Sequence, residues 1–468
     1  MAIKIISFIF AHYKQLDDEA FMALIIVAIW IAGLVMIATS SMTKINRAAC
    51  AIFTGTVGWV LYICYGTDFV MSQHPSEYID FLGGANPTSV AVKEYIAQNI
   101  YLKYVGRGAE LVIFLLATMT IVEILNNNGC FDFFRELLKT RHSKKLLWMM
   151  TLITFVVSAN MDNLTVTTMM LVLMHELIPN RRHRMVYGSA IVIAANCGGA
   201  LTVIGDPVGL FLWNKGAVTA TSYSLSLALP CVVACLLPTW WLSRQLPEHV
   251  DLQWTSMPYR GDDTNLKVWQ RLVMLIVGIG GLWFIPSFRS ITKLSPFLGA
   301  LCVLSVLWIV NEIMNRKLMN TDQMIQRRTP RVLQYGVLQL MLYVMGIVLA
   351  IGVVHETGFF SWLSAQLDHY VHHIWVVGGM AAAVSTVLET FATSVSFFTL
   401  ENNAPENALC YRLIAYSCAM GGNVLMLGSM SGLALMKMEH IHVGWYFKNV
   451  GWMAIVAWML GMMLLWLF

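Results

Sequence analysis

Charge is scarce in this sequence. Lys, Arg, Asp and Glu make up 12% of its 468 residues, while 58% are hydrophobic. Soluble domains carry roughly a quarter charged residues, so a water-soluble globule is excluded. The chain has no nucleophile elbow, no HExxH and no glycine-rich nucleotide loop, which removes the common enzyme classes. A Walker motif is missing as well, and that argues against a primary pump. The nine cysteines show no CxxC spacing. Cys231 and Cys235, one turn apart in an apolar stretch, read as packing residues rather than metal ligands. The net charge of +4 is spread over loops and offers nucleic acid no patch to bind. Met1 to Tyr13 contains a short apolar run but no small-residue cleavage site, so it is not read as a signal peptide.

What the sequence has instead is apolar length, with a mean hydropathy of +0.66. Ordinary spans fall at about 20–39, 48–66, 109–126, 221–243, 271–286, 294–313, 334–354 and 443–467, each able to cross about 30 Å of hydrocarbon. Four segments are not ordinary. Residues 146–177 and 373–403 are apolar with a polar centre, and 187–213 and 411–436 are interrupted by glycine pairs. Residues 67–108 read as a polar, partly aromatic loop, and 131–145 as a short basic interfacial helix. The fold class expected is an all-α polytopic membrane protein with about 10 spanning helices.

The two glycine-broken segments are copies. Gly198-Gly199-Ala200-Leu201-Thr202-Val203-Ile204-Gly205 aligns without gaps on Gly421-Gly422-Asn423-Val424-Leu425-Met426-Leu427-Gly428, and Gly209-Leu210 falls on Gly432-Leu433. A polar-centred stretch precedes each copy, with Asp162 before the first glycine pair and Glu389 before the second. Such a duplication with paired discontinuities points to a secondary transporter whose site lies where the copies meet. Basic residues set the threading. Residues 135–145 and Arg181-Arg182-His183-Arg184 flank the first polar-centred stretch, so a hairpin that enters and leaves from the cytoplasm keeps both clusters inside. The loop 314–333, with Arg316, Lys317, Arg327, Arg328 and Arg331, is then inside too, and 355–372, which lacks Lys and Arg, is outside. The second hairpin enters from outside, and the copies are inverted. The expected organisation is residues 1–108 as N-terminal helices and an extracellular loop (scaffold), 109–243 as the first repeat, 244–333 as a connecting loop with scaffold helices, and 334–468 as the second repeat.

An ionised carboxylate in hydrocarbon is costly unless it is paired, hydrated or cation-bound. Asp162 is the lone charge of its stretch, with Ser158, Asn163 and Thr165 beside it. Glu389 is the lone charge of the other, with Ser385, Thr390 and Thr393. Asn196, Thr202, Asp206, Asn423, Ser429 and Ser431 add oxygens near the breaks. Hard cations choose such oxygens, so sodium is expected at Asp162 and Glu389. A buried acid holds a proton or a cation but not both, and that competition is exchange in its minimal form. Glu123 and Glu356 are candidate proton relays or plain interfacial residues. His369, His372 and His373 read as solvated side chains at a boundary rather than a metal cluster.

"TMTIVEILNNNGCFD", "SANMDNLTVTTMMLVLM", "AIVIAANCGGALTVIGDPVGLFLW" and "GGNVLMLGSMSGLALMKMEHIHVGWYFKNV" resemble the NhaD-type sodium/proton antiporters of the ion transporter superfamily over about residues 109–450. The resemblance implies a cation held between two hairpin tips and two unwound helices, and a homodimer with a scaffold and a mobile transport domain. It places the family's acid and amide on Asp162 and Asn163, its span glutamate on Glu123, its glycine-loop acid on Asp206, and its second-loop serines on Ser429 and Ser431. Two positions depart from the family. Glu389-Thr390-Phe391-Ala392 stands where Asp-Asn-Val-Pro is usual, and Val203 stands where a proline is usual. The function expected is exchange of sodium, with lithium as a second ion, for protons across the cytoplasmic membrane in pH homeostasis, without a cofactor. The alternative is an anion carrier for arsenite or a carboxylate on the same scaffold.

Overall fold

The computed structural model describes residues 18–138, 140–251, 266–315, 335–370, 373–401 and 404–466. The N-terminal run to Tyr13, the basic residues from Arg316 to Arg331, and His372 lie outside these residues. Every regular element described is a helix. Among the described residues, nine helices are long and apolar enough to cross a membrane, and two shorter apolar helices accompany them. The protein is polytopic and all-α.

The chain forms two compact units, one of residues 1–109 with 342–370 and one of 110–341 with 371–468. The first unit holds α1 (Asp18–Ala38), α2 (Arg47–Cys64), α3 (Gly66–Gln73), α4 (Pro75–Leu82), the first half of α5 (Ser89–Asn127), the later part of α13 (Tyr335–Glu356) and α14 (Phe359–Tyr370). The segment read as a loop at 67–108 is therefore helical, and from Ser89 it is continuous with the span that follows. Aromatic burial explains the difference: Phe69 stacks on Tyr62 with ring centroids 4.8 Å apart, and Tyr78 meets Tyr95 edge-on at 5.3 Å. Helices this short are stabilised by tertiary packing more than by their own periodicity. A close crossing of α2 and α13 (Tyr335–Glu356) forms the unit's core. A Cβ at Gly346 would meet the main chain of Ala51 and Ile52 at 2.6 Å, and Trp59 Nε1 donates to Leu349 O at 3.0 Å.

The second unit carries the duplication. The first hairpin is α6 (Ser143–Ser158) and α7 (Asn163–Leu177), followed by the broken helix α8 (Arg181–Leu201) and α9 (Pro207–Lys215), then α10 (Ala220–Ser243). After α11 (Val268–Thr292) and α12 (Pro296–Asn315), and past α13 and α14 (Phe359–Tyr370), comes the second set. It consists of the hairpin α15 (Ile374–Ser385) and α16 (Thr390–Leu400), the broken helix α17 (Leu409–Leu425) and α18 (Met430–Glu439), and α19 (Val443–Leu465). Helices α6 and α15 pack on α8 and α17, and α10 packs on α19. The return limbs are exchanged between the copies, with α7 packing against α18 and α16 against α9.

Candidate functional site

Small residues let each hairpin lie directly on its broken helix. A Cβ at Gly198 would run into Phe155 O, and one at the matching Gly421 would run into Ala382 O. Ser158 Oγ donates to Ala195 O at 2.7 Å, and Ser385 Oγ donates to Cys418 O at 2.7 Å. At the tips, Asn163 N donates to Gly205 O at 3.2 Å and Thr390 N to Gly428 O at 2.9 Å. The sequence register of the two copies is thus repeated bond by bond.

Each half-helix that starts near the breaks leaves unpaired main-chain N–H groups and a positive dipole end. Four side chains answer them. Asp162 accepts from Thr165 N at 3.0 Å, Asp206 from Val208 N at 3.0 Å, Glu389 from Ala392 N at 3.1 Å, and Ser429 Oγ from Gly432 N at 2.9 Å. The three acids are buried, with exposures of 5%, 7% and 6%. Asp206 lies within electrostatic reach of both Asp162 and Glu389. The capping role and the candidate ion site therefore fall on the same carboxylates.

Other predicted residues gather around these caps. Asn163 Nδ2 donates to Asp206 Oδ2 at 3.4 Å, and Ser431 Oγ of the second copy donates to Asn163 O at 3.5 Å. Asn196 Nδ2 donates to Asn423 Oδ1 at 2.7 Å across the copies, and Asn196 Oδ1 is buried with no hydrogen-bond partner among the described residues. A buried carbonyl oxygen without a donor fits a cation better than it fits an anion. Thr202 Oγ1 donates to Ala159 O at 2.6 Å and accepts from Gly205 N, while Thr390 Oγ1 donates to Gly428 O at 3.1 Å. The protons of Ser158, Ser385, Thr202 and Thr390 are thus committed to main-chain carbonyls, and these hydroxyls hold the tips in place. The main-chain oxygens of Gly205 and Gly428 were missed as parts of the tips; their signal was the third glycine of each GGxxxxxG.

Of the relay candidates, Glu123 belongs to the second unit and Glu356 to the first. Glu123 is half-buried on α5, with no hydrogen bond or ion pair among the described residues. Glu356 belongs to the first unit, where it is 6% exposed, accepts from Tyr104 OH at 2.5 Å and lies 2.7 Å from His74 Nε2. His74, at the start of α4 and outside the spans, is held above its ordinary pKa chiefly by the hydrogen bond to Glu356, against the opposing effect of burial.

The chain matches the citrate transporter family (CitMHS) over residues 5–405. Sodium/proton antiporter 1 of Arabidopsis thaliana is 31% identical over 364 residues, a match that covers 75% of this chain and 61% of that protein's length. Sodium/proton antiporter 2 of the same plant is 29% identical, covering 76% of this chain and 84% of the relative. The Na(+)/H(+) antiporter NhaD of Vibrio parahaemolyticus is 24% identical, covering 75% and 87%. With its paired hairpins, its paired broken helices and this match across most of its length, the chain belongs to the citrate transporter family.

Proposed function

We propose that the protein exchanges sodium, and lithium as a second ion, for protons across the cytoplasmic membrane of its cell. The observation that carries this reading is the set of four half-helix N-termini, three of them capped by buried acids. In an anion carrier those N-termini would face the substrate. Here the chain's own carboxylates take that place, which makes the region negative and suits it to a cation or a proton. Asp162 and Glu389 are the shared ligands, with Asp206, Asn163 and Asn196 as further oxygen donors. Ser429, Ser431, Asn423, Thr202, Thr390, Ser158 and Ser385 shape the cage. A sodium ion relieves the repulsion among the acids, and a proton does the same, so binding of one releases the other. Glu123 and Glu356 serve proton delivery. The working protein is a homodimer of scaffold and moving parts, and it uses no cofactor. The names of the similar antiporters support sodium and protons.

The test is transport in everted vesicles, with each alkali cation asked to dissipate a preset pH gradient. Dissipation by sodium and lithium is expected. The family's description favours one second reading, a carboxylate carrier, and citrate uptake in the same vesicles without cation-driven proton movement would establish it instead.

A further inference from the structure

Glu439 lies at neither a hairpin tip nor a glycine break, yet it is 2% exposed at the end of α18. Arg184 Nε donates to both its oxygens, at 2.8 and 3.0 Å, and His175 Nδ1 of α7 lies 2.9 Å away. Arg184 Nη1 also donates to Ile178 O at 3.2 Å and Pro179 O at 2.8 Å, just past the end of α7. Arg181 donates to Glu439 O at 3.0 Å and to His440 O at 3.0 Å. The first turn of α8 thus supplies two guanidinium groups that satisfy the carbonyl ends of α7 and α18, where the helix dipoles are negative. Glu439 balances that positive charge inside the junction.

The same two helices are joined at their other ends. Asp162 caps α7 and Ser429 caps α18, and Ser431 Oγ donates to Asn163 O. At 1.5 Å per residue, Asn163 stands roughly 18 Å from His175, and Ser431 roughly 12 Å from Glu439. Helices α7 and α18 are therefore two rods, one from each copy, tied at the caps and again at the junction. In the second copy, the turn before α17 is tied to the turn after α9, with Asn407 N donating to Ala217 O at 2.8 Å and Thr219 N to Asn407 Oδ1 at 2.8 Å.

We propose that Glu439 is a positioning residue for the ion site: with Arg184 it fixes α7 against α18, and so fixes Asp162 and Asn163 against Ser429 and Ser431. The inference rests on the exchange reading for its functional effect, but its structural effect can be read without any ion. The experiment uses the full chain in proteoliposomes, with Glu439→Gln, Glu439→Asp and the double variant Glu439→Gln/Arg184→Gln. Glu439→Gln should raise the apparent KM for sodium about tenfold while kcat stays within about twofold, a coupling of ordinary size between linked sites. Glu439→Asp should recover most of that loss, whereas the double variant should stay close to Glu439→Gln, because either change alone opens the clasp. Hydrogen exchange at the amides of Thr165 and Gly432, which donate to the caps, should speed up in Glu439→Gln. A lower melting temperature with KM and both amides unchanged would overturn the proposal and leave Glu439 a purely structural group. Unchanged KM, amides and melting temperature would overturn it as well. If the unsubstituted protein moves no protons with sodium, the exchange reading fails, and the amide exchange alone decides whether the clasp positions the caps.

Discussion

The first and second copies share their geometry and differ in their charge. Ser158 and Ser385 make the same hydrogen bond, Asn163 and Thr390 make the same hydrogen bond, and Gly198 and Gly421 take the same close approach. Yet the cap after the glycine stretch is Asp206 in one copy and Ser429 in the other, and the hairpin tip reads Asp162-Asn163 in one and Glu389-Thr390 in the other. Hydroxyls, glycines and main-chain groups build the cage, and these are duplicated. On the exchange reading the acids decide what the cage holds: each tip carries one, Asp162 and Glu389, whereas Asp206 is matched only by the hydroxyl of Ser429.

Asp162→Asn should break this comparison most completely. Asparagine caps a helix about as well as aspartate, so the protein should insert and fold normally. The amide neither titrates nor neutralises a cation, so exchange in vesicles should fall to background; near-normal exchange would remove Asp162 from the account. Glu389→Gln should act next most strongly, weakening apparent sodium affinity and moving the pH profile, while Glu389→Asp keeps partial activity. In a double-mutant cycle with Asp162→Asn, read from sodium binding, the two should couple by about 1 kcal/mol or more, and simple additivity would mean that they serve separate sites.

Exchanging the caps sharpens the comparison. Asp206→Ser makes the first copy like the second, and serine keeps the cap, so stability should drop by no more than about 1 kcal/mol. The remaining acids lose a like charge, and the pH profile of exchange should move to lower pH. Ser429→Asp should move it the other way. If both profiles stay in place, the caps are structural only.

The smallest effect lies outside the copies, in the first unit. His74 has a side chain 23% exposed and faces Glu356, Glu77 and, through Glu356, Tyr104 and His355. Its pKa is raised in the fold, so its stabilisation is full below about 6.5 and is lost as pH rises through the raised value. Thermal unfolding should show a modest fall in stability over that rise. His74→Gln should flatten it without changing apparent sodium affinity.

Much of this site was legible because single acids in apolar runs, and glycines in register, are conspicuous against a lipid-adapted composition. Asp162 and Glu389 do stand at the starts of the return limbs, and Gly198, Gly205, Gly421 and Gly428 do lie where chains touch. Other features depend on long-range contacts that no local pattern encodes. The junction of Glu439 with Arg184 joins residues 255 positions apart. The helices at 66–95 owe their order to aromatic pairs such as Tyr62 with Phe69, so their polar surface alone reads as a loop. Hydroxyls at Ser158 and Ser385 read as cation ligands in the sequence, and only the placement of Ala195 and Cys418 shows that they donate to main-chain oxygens.

On the exchange reading, one set of buried acids holds either sodium or protons. Adding sodium to the purified protein in weakly buffered solution, with the released protons measured directly, tests it most simply. Proton release should saturate with sodium and disappear in Asp162→Asn. Sodium binding with no release of protons would contradict that reading.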